Sequence, residues 1–407
     1  MIPHPLQAVG LRSRVVAFQA LPPLSLYIHI PWCVRKCPYC DFNSHEVKAG
    51  VSRSKEGVFP EKEYVAALVR DLEMALPQIW GRKVYTVFFG GGTPSLLSGE
   101  AVSEILRNVR MLLPLDIHAE ITLEANPGTV EADKFAAFCD AGVNRLSMGI
   151  QSFNDKHLKA LGRIHSADEA MRAIEIAQQH FDNINLDLMY ALPSQNLEEA
   201  LLDVQTALQY RPQHLSCYHL TLEPNTQFHH NPPALPDDDT SAEMQQSIEA
   251  LLAARGYEHY ETSAFAQPKQ RAKHNLNYWQ FGDYLGIGAG AHSKLSFHDK
   301  VIRQARYKQP QLYMQRVLSG SPIQSENTVE PDVLPFEFMM NALRLNEGFD
   351  SSLFAERTSL SLMCIQNELQ EAERRGLLFR DHRHIAPTVL GQRFLNDLLG
   401  QFLTAEH

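Results

Sequence analysis

Tyr27-Ile-His-Ile-Pro-Trp-Cys33-Val-Arg-Lys-Cys37-Pro-Tyr-Cys40-Asp-Phe42 places three cysteines in the spacing C-x3-C-x2-C directly after an apolar, strand-like run. Three thiolates in so short a loop can converge on one metal centre, but they stop one ligand short of closing it. A structural zinc site takes four protein ligands, whereas a catalytic or ligand-binding centre leaves a position free. A four-iron cluster on Cys33, Cys37 and Cys40 fits this donor set. The competing reading is a zinc site completed by a distant His or Cys.

Working outward, Ser25–Ile30 reads as the buried strand that delivers the loop, and the polar stretch from Asn43 to Pro60 as a mobile connection. A helix follows over Glu61–Leu76, with Tyr64, Leu68, Leu72 and Leu76 on one stripe. Val84–Phe89 is a short continuous apolar run, as in a parallel strand covered on both faces. The alternation continues through strands over Ala119–Leu123, Val143–Gly149, Ile184–Met189 and His214–Leu220, with helices between them. Ser166 with Glu169, and Asn196 with Glu199, form capping-box patterns at two helix starts. Six strand-then-helix units predict an α/β fold, a partial (β/α)6 TIM-like barrel with its chemistry at the C-terminal ends of the strands. The cysteines sit at such an end.

After Leu222 the pattern breaks. Pro224, Pro232, Pro233 and Pro236 lead into Asp237–Asp239, and Thr240 with Glu243 predicts the start of a helix that Gly256 ends. A glycine-rich stretch, Gly286 to Ser293, comes next. From about Pro331 the chain reads as short helices over Pro335–Leu345, Ser352–Thr358 and Leu360–Arg375, a two-stranded wing around Leu377–Ile385, and a last helix over Val389–Leu403. The expected organisation is an N-terminal extension (1–23), a barrel (24–222), a connecting region (223–330) and a smaller, mostly α winged-helix-like domain (331–407).

Composition narrows the function classes. The formal net charge of −10 argues against nucleic acid as a partner, and no run of about twenty apolar residues predicts a membrane span. The N-terminus lacks a compact apolar segment with a cleavage site, and six cysteines, three of them clustered, do not form a disulfide framework. A reducing cytoplasm fits this usage.

Other polar residues fall at strand ends in the register of the cysteines. Phe89-Gly90-Gly91-Gly92-Thr93-Pro94 follows the second strand, Glu124 ends the third, Gln151 the fourth, and Asp187 lies in the fifth. A carboxylate or amide inside an apolar strand is costly unless paired, so each meets a ligand or a protein partner. Carboxylates suit ribose hydroxyls and an ammonium group, and Arg163 suits a carboxylate. Cys139, Cys217 and Cys364 read as buried small apolar residues, His29 as a core residue or one that backs a ligand-contacting group, and His229-His230 as solvated.

The cysteine spacing and the glycine motif resemble the radical S-adenosylmethionine (SAM) family. The resemblance implies a [4Fe-4S] cluster whose open iron takes the amino and carboxylate groups of S-adenosyl-L-methionine, and an electron donor to reduce it. Within that family the chain is most similar to the coproporphyrinogen oxidase-like branch. Tyr27, Tyr39, Gly91, Gly92, Thr93, Glu124, Gln151, Arg163 and Asp187 stand where that branch places its cluster-adjacent and SAM-binding residues. The anaerobic oxidases of the branch carry a further cysteine where this chain has Phe42. Residues 274–279, His-Asn-Leu-Asn-Tyr-Trp, resemble instead a motif of the branch's haem-chaperone subfamily, with His274, Tyr278 and Trp279 as candidate haem contacts. That resemblance implies haem as cargo, an acceptor protein that receives it, and no assigned catalytic residue. The alternative is oxygen-independent oxidative decarboxylation of coproporphyrinogen III.

Overall fold

A computed structural model describes residues 15–47, 59–129 and 132–403. The helix that ends at Ala141 is described from Ala132, and most of the connection between Asn43 and Pro60 lies outside the described residues.

The six expected strands are present: β1 (Leu24–Ile30), β2 (Val84–Gly91), β3 (Leu115–Ala125), β4 (Arg145–Gln151), β5 (Ile184–Tyr190) and β6 (His214–His219). Each pairs in parallel with the next, so their C-terminal ends share one rim. The crossovers carry α1 (Glu61–Ala75), α2 (Gly99–Leu112), α3 (Ala132–Ala141), α4 (Ala167–Ala177) and α5 (Leu197–Gln209). Both predicted capping boxes form: the side chains of Ser166 and Asn196 accept from the backbone N–H three residues on, and Glu169 and Glu199 reach back to the cap N–H. One apolar core joins the outward faces of these strands to the helices, with Leu26, Ile28, Val87, Phe89, Leu146, Met148 and Leu186 almost fully buried.

The region from 223 to 330 does more than connect. It supplies α6 (Asp238–Ala254), β7 (Glu258–Glu261), β8 (Ala264–Ala266), α7 (Lys273–Trp279), β9 (Asp283–Ile287), β10 (His292–Ser296), β11 (Val301–Arg306) and β12 (Ile323–Thr328). The result is a twelve-stranded sheet in the order β12-β11-β10-β9-β1-β2-β3-β4-β5-β6-β8-β7. The strand β9 pairs in parallel with β1, making a seventh parallel member, and the remaining additions are antiparallel. The helix expected from Thr240 starts earlier, because the carboxylate of Asp237 accepts from Thr240 N–H and caps it.

A buried ion pair fastens this extension. The carboxylate of Asp71 on α1 meets the guanidinium of Arg306 at 3.3 Å and accepts from Tyr313 Oη at 2.9 Å, with both charged side chains essentially unexposed.

The C-terminal part has its own apolar cluster around Leu334, Phe338, Phe354, Leu369 and Ile385, which Val16 and Phe18 of the N-terminal segment join. Helices span Leu334–Ala342, Ser351–Thr358 and Gln366–Arg374. The wing is three-stranded, since Phe349–Asp350 adds to the pair of His384–Pro387 and Leu378–Arg380. The last helix divides at Phe394 into Val389–Arg393 and Leu395–Gly400. No helix among the described residues is long and apolar enough to cross a membrane.

Candidate radical SAM site

The inward positions of β4, β5 and β6 are polar except at Gly149 and Met189: Arg145, Ser147 and Gln151 on β4; Asn185 and Asp187 on β5; His214, Ser216 and Tyr218 on β6. Strand geometry puts alternate residues on one face, so the interior is a polar-walled cavity of about 450 Å³ rather than the packed branched layers of a closed barrel.

At the rim, Cys33, Cys37 and Cys40 open onto this cavity, with Tyr39 and the exposed Phe42 beside them. Burial pushes the thiols of Cys33 and Cys40 up, so without metal they are held neutral. Among the described residues, no three His, Cys, Asp or Glu side chains converge as the ligands of a single ion would. A cuboidal iron–sulfur cluster instead takes each cysteine on a different iron, and three thiols spread around a pocket mouth suit that demand. Arg163 Nη1 lies 3.7 Å from Cys37 Sγ, Nη2 donates to Gly149 O at 2.7 Å, and the buried Nε has no partner among the described residues. A cation beside Cys37 with a donor to spare fits an anionic group bound next to the cysteines.

The glycines serve the packing of the loop itself. Gly92 N–H donates to Ile30 O and Thr93 N–H to Trp32 O, drawing the end of β2 against the segment that leads into Cys33. A Cβ on Gly92 would lie 2.6 Å from Trp32 O, and one on Gly91, where φ is +113°, would lie 2.5 Å from the His29 ring. Gly92 must be glycine for backbone to meet backbone, and Gly91 for its positive φ and the His29 ring beside it, reasons the sequence did not disclose.

Glu124 and Asp187 face the cavity from adjoining parts of the wall. Burial first, and then the charge of Asp187, pushes the Glu124 carboxyl up to about 8, although Gly91 N–H donates to its Oε2 at 3.2 Å. Asp187 is also raised by burial, against donors from Asn185 and Ser147. Two buried carboxyls with raised affinity for protons would be relieved by a cation between them. Gln151 lines the same rim in the left-handed region, with φ of +69°, which turns the chain at the strand end. Tyr27 is behind the wall, hydrogen-bonded to His29 Nδ1 at 3.0 Å and stacked on Phe88; it does not line the cavity.

His274 enters from the opposite end. The carboxylate of Glu120 accepts from Lys273 N–H and His274 N–H and lies 2.7 Å from His274 Nδ1, so it both caps α7 and orients the ring. Burial lowers the proton affinity of His274 against the pull of Glu120. Glu120 is held down at about 2, where the hydrogen bond and charge of His274 and the charge of Arg145 outweigh burial. The other two motif residues are elsewhere: Tyr278 packs on Tyr284 with much of its ring exposed, and Trp279 lies beneath the Arg344 guanidinium at 4.4 Å. Neither lines the cavity that His274 and Asn275 close. His292 is exposed and does not line it either.

Residues 27–206 match the family model described as the radical SAM superfamily, and residues 329–394 match the HemN C-terminal domain. The heme chaperone HemW of Escherichia coli (strain K12) is 50% identical over 94% of this chain and 99% of its own length. The chain belongs to the HemW family of radical SAM proteins. The heme chaperone HemW of Bacillus subtilis (strain 168) is 33% identical over 93% of this chain and 99% of its own. The mitochondrial radical S-adenosyl methionine domain-containing protein 1 of Bos taurus is 35% identical over 93% and 87%. Among solved structures, coproporphyrinogen III oxidase (HemN) from Escherichia coli superposes with a TM-score of 0.78 over 94% of this chain and 90% of that one; at 23% identity this likeness establishes the fold. Membership of the radical SAM superfamily implies a [4Fe-4S] cluster and S-adenosyl-L-methionine.

Sequence reading missed Glu120, Arg145, Asn185 and His214. For Arg145, Asn185 and His214 the signal was present as alternation, R-L-S-M-G-I-Q, I-N-L-D-L-M-Y and H-L-S-C-Y-H, in strands whose parallel setting suggested apolar runs.

Proposed function

We propose that this chain is a haem chaperone that binds haem and hands it to an acceptor protein. The observation that carries the reading is its 50% identity, over nearly the full length of both chains, to a relative named as a heme chaperone. Phe42, exposed at the cavity mouth where the oxidases of the branch have a cysteine, supports it.

In this reading Cys33, Cys37 and Cys40 hold the cluster. Gly91 to Thr93, Glu124, Gln151, Arg163 and Asp187 bind SAM, with Tyr39 beside the cluster and Tyr27 bracing the strand behind it. Bound there, the cluster would supply one electron, received from an electron-donor protein, to the sulfonium of SAM. The chain's own contribution is placement. Arg163 meets a carboxylate, and Glu124 and Asp187, losing their protons, meet an ammonium or ribose hydroxyls. His274 offers Nε2 to haem iron because Glu120 occupies Nδ1. Tyr278 and Trp279 sit on the outer side of α7 and would contact only a porphyrin edge that extends beyond the cavity. A cytoplasmic setting, and division into barrel, extension and C-terminal domain, complete the reading.

Titration of the anaerobically reconstituted protein and its His274→Ala variant with haem tests the assignment. Wild type is expected to give a Soret shift that the variant loses or shows with weaker affinity. An identical titration in both would remove His274 from the haem site.

A further inference from the structure

We propose that Arg145 is a receptor for a carboxylate, forming a second anion-binding site on the floor of the cavity, for the acid group of a small organic ligand. Arg145 opens β4, is 2% exposed and lines the cavity. Among the described residues it makes no ion pair within 4 Å, its side chain has no hydrogen-bond acceptor, and its Nε is buried without a partner.

The acceptors around it are all engaged elsewhere. Glu120 uses Oε1 on the ring and N–H of His274 and Oε2 on Lys273 N–H. Asp187 takes Asn185 Nδ2 on Oδ1 and Ser147 Oγ on Oδ2. His214 is held between Asn185 Oδ1 at 2.6 Å and Tyr260 Oη at 2.8 Å. Its charge reaches Glu120 and Asp187 across space, but the five donors of its guanidinium are left for something else. A buried guanidinium without acceptors is costly, and its planar fork matches a carboxylate in a bidentate pair.

This site is separate from the one at the rim. Arg145 and Gln151 are six residues apart on one strand, which spans about 20 Å. The amino-acid end of a SAM molecule held at the strand ends by Arg163 therefore does not reach Arg145. The anion that does must belong to a second molecule or to a distant group on a larger one. The inference stands on the cavity alone and does not depend on haem binding.

The test uses the full chain with its cluster reconstituted and SAM at saturation, so that the rim is filled. Binding of propionate and of its neutral counterpart propionamide is compared by ligand-observed NMR. Propionate is expected to bind at least about tenfold tighter, ~1.4 kcal/mol. In Arg145→Met the preference is expected to vanish, and in Arg145→Lys to fall between, since lysine keeps the charge without the fork. Iron content and thermal unfolding report whether each variant is folded; if Arg145→Met is not, Arg145→Lys carries the comparison. Equal binding of the two probes, no measurable binding of propionate, or an unchanged preference in a folded variant would overturn the proposal. Each of these would leave the haem titration unaffected.

Discussion

Glu120 Oε1 and His274 Nδ1 are 2.7 Å apart although 154 positions separate them in the chain. The contact turns a histidine at the start of a seven-residue helix into a fixed group with one defined free nitrogen. A carboxylate on Nδ1 raises the basicity of Nε2 towards a metal, and loss of such a partner typically costs ten- to a hundredfold in metal affinity. Glu120→Gln is therefore expected to weaken haem binding about tenfold or more and to shift the Soret band, with a smaller effect than His274→Ala. Unchanged affinity and spectrum in Glu120→Gln would show that the dyad only caps the helix.

The Glu124 carboxyl gives the ligand-free protein a definite pH dependence. Its folded value, about 8, lies above its ordinary 4.5, so the folded state binds the proton more tightly than the unfolded chain. Stability from this group is complete below about pH 4.5 and is lost as pH rises to about 8. Thermal unfolding of the apoprotein is expected to weaken across that window, and Glu124→Gln to flatten the profile. The same variant is expected to bind SAM more weakly, because it removes an anion that the cation requires. A profile identical in wild type and variant would contradict the assignment.

Gly92 offers a sharper steric test. An added Cβ meets backbone oxygens, 2.6 Å from Trp32 and 2.9 Å from Ile30, which cannot rotate away. Gly92→Ala is expected to cost about 1–3 kcal/mol in denaturant unfolding and to lower the iron retained after reconstitution. At Gly400, where nothing lies within 4 Å, Ala should be neutral on both readouts.

The three rim cysteines should separate cleanly from the others. A triple Cys33/Cys37/Cys40→Ala variant is expected to lose essentially all bound iron and sulfide. Cys217→Ala, on the inner strand β6, and Cys139→Ala, whose Sγ donates to His180 O, should keep both. Iron and sulfide assays on matched samples decide the point, and iron retained by the triple variant would remove the cluster from this loop.

Asp71 and Arg306 form the strongest stability prediction. Removing one member of an essentially unexposed pair leaves the other charge buried and uncompensated, at about 3–5 kcal/mol. Asp71→Asn is expected to approach that loss, and a double Asp71→Asn/Arg306→Met variant to recover part of it. Additive losses would show that the two residues act independently.

What was legible from the residues followed from local rules. Strand-then-helix alternation placed six parallel strands, and Glu124 and Gln151 declared themselves as polar residues at strand ends and Asp187 as one inside a strand. Ser166 and Asn196 announced their helices through caps that depend on residues three positions away. The relationships that escaped are non-local. Asp283–Ile287 joins the parallel strands through its register with Leu24–Ile28, some 260 residues earlier, and Gly286 with the glycines that follow disguises a strand as a turn. Arg145 was passed over inside the strand read over Val143–Gly149, since only closure of the sheet decides that it faces a cavity. The six residues from His274 to Trp279 read as one unit, but helix packing divides them between the cavity, where His274 points, and the C-terminal module, where Arg344 covers Trp279.

The most direct test of haem handling combines two assays on one anaerobically reconstituted sample supplied with SAM and reductant: a haem titration, and turnover of coproporphyrinogen III. Saturable haem binding without release of protoporphyrinogen is the predicted result. Catalytic formation of protoporphyrinogen with no saturable haem binding would contradict the haem-chaperone reading and make the chain an oxidase.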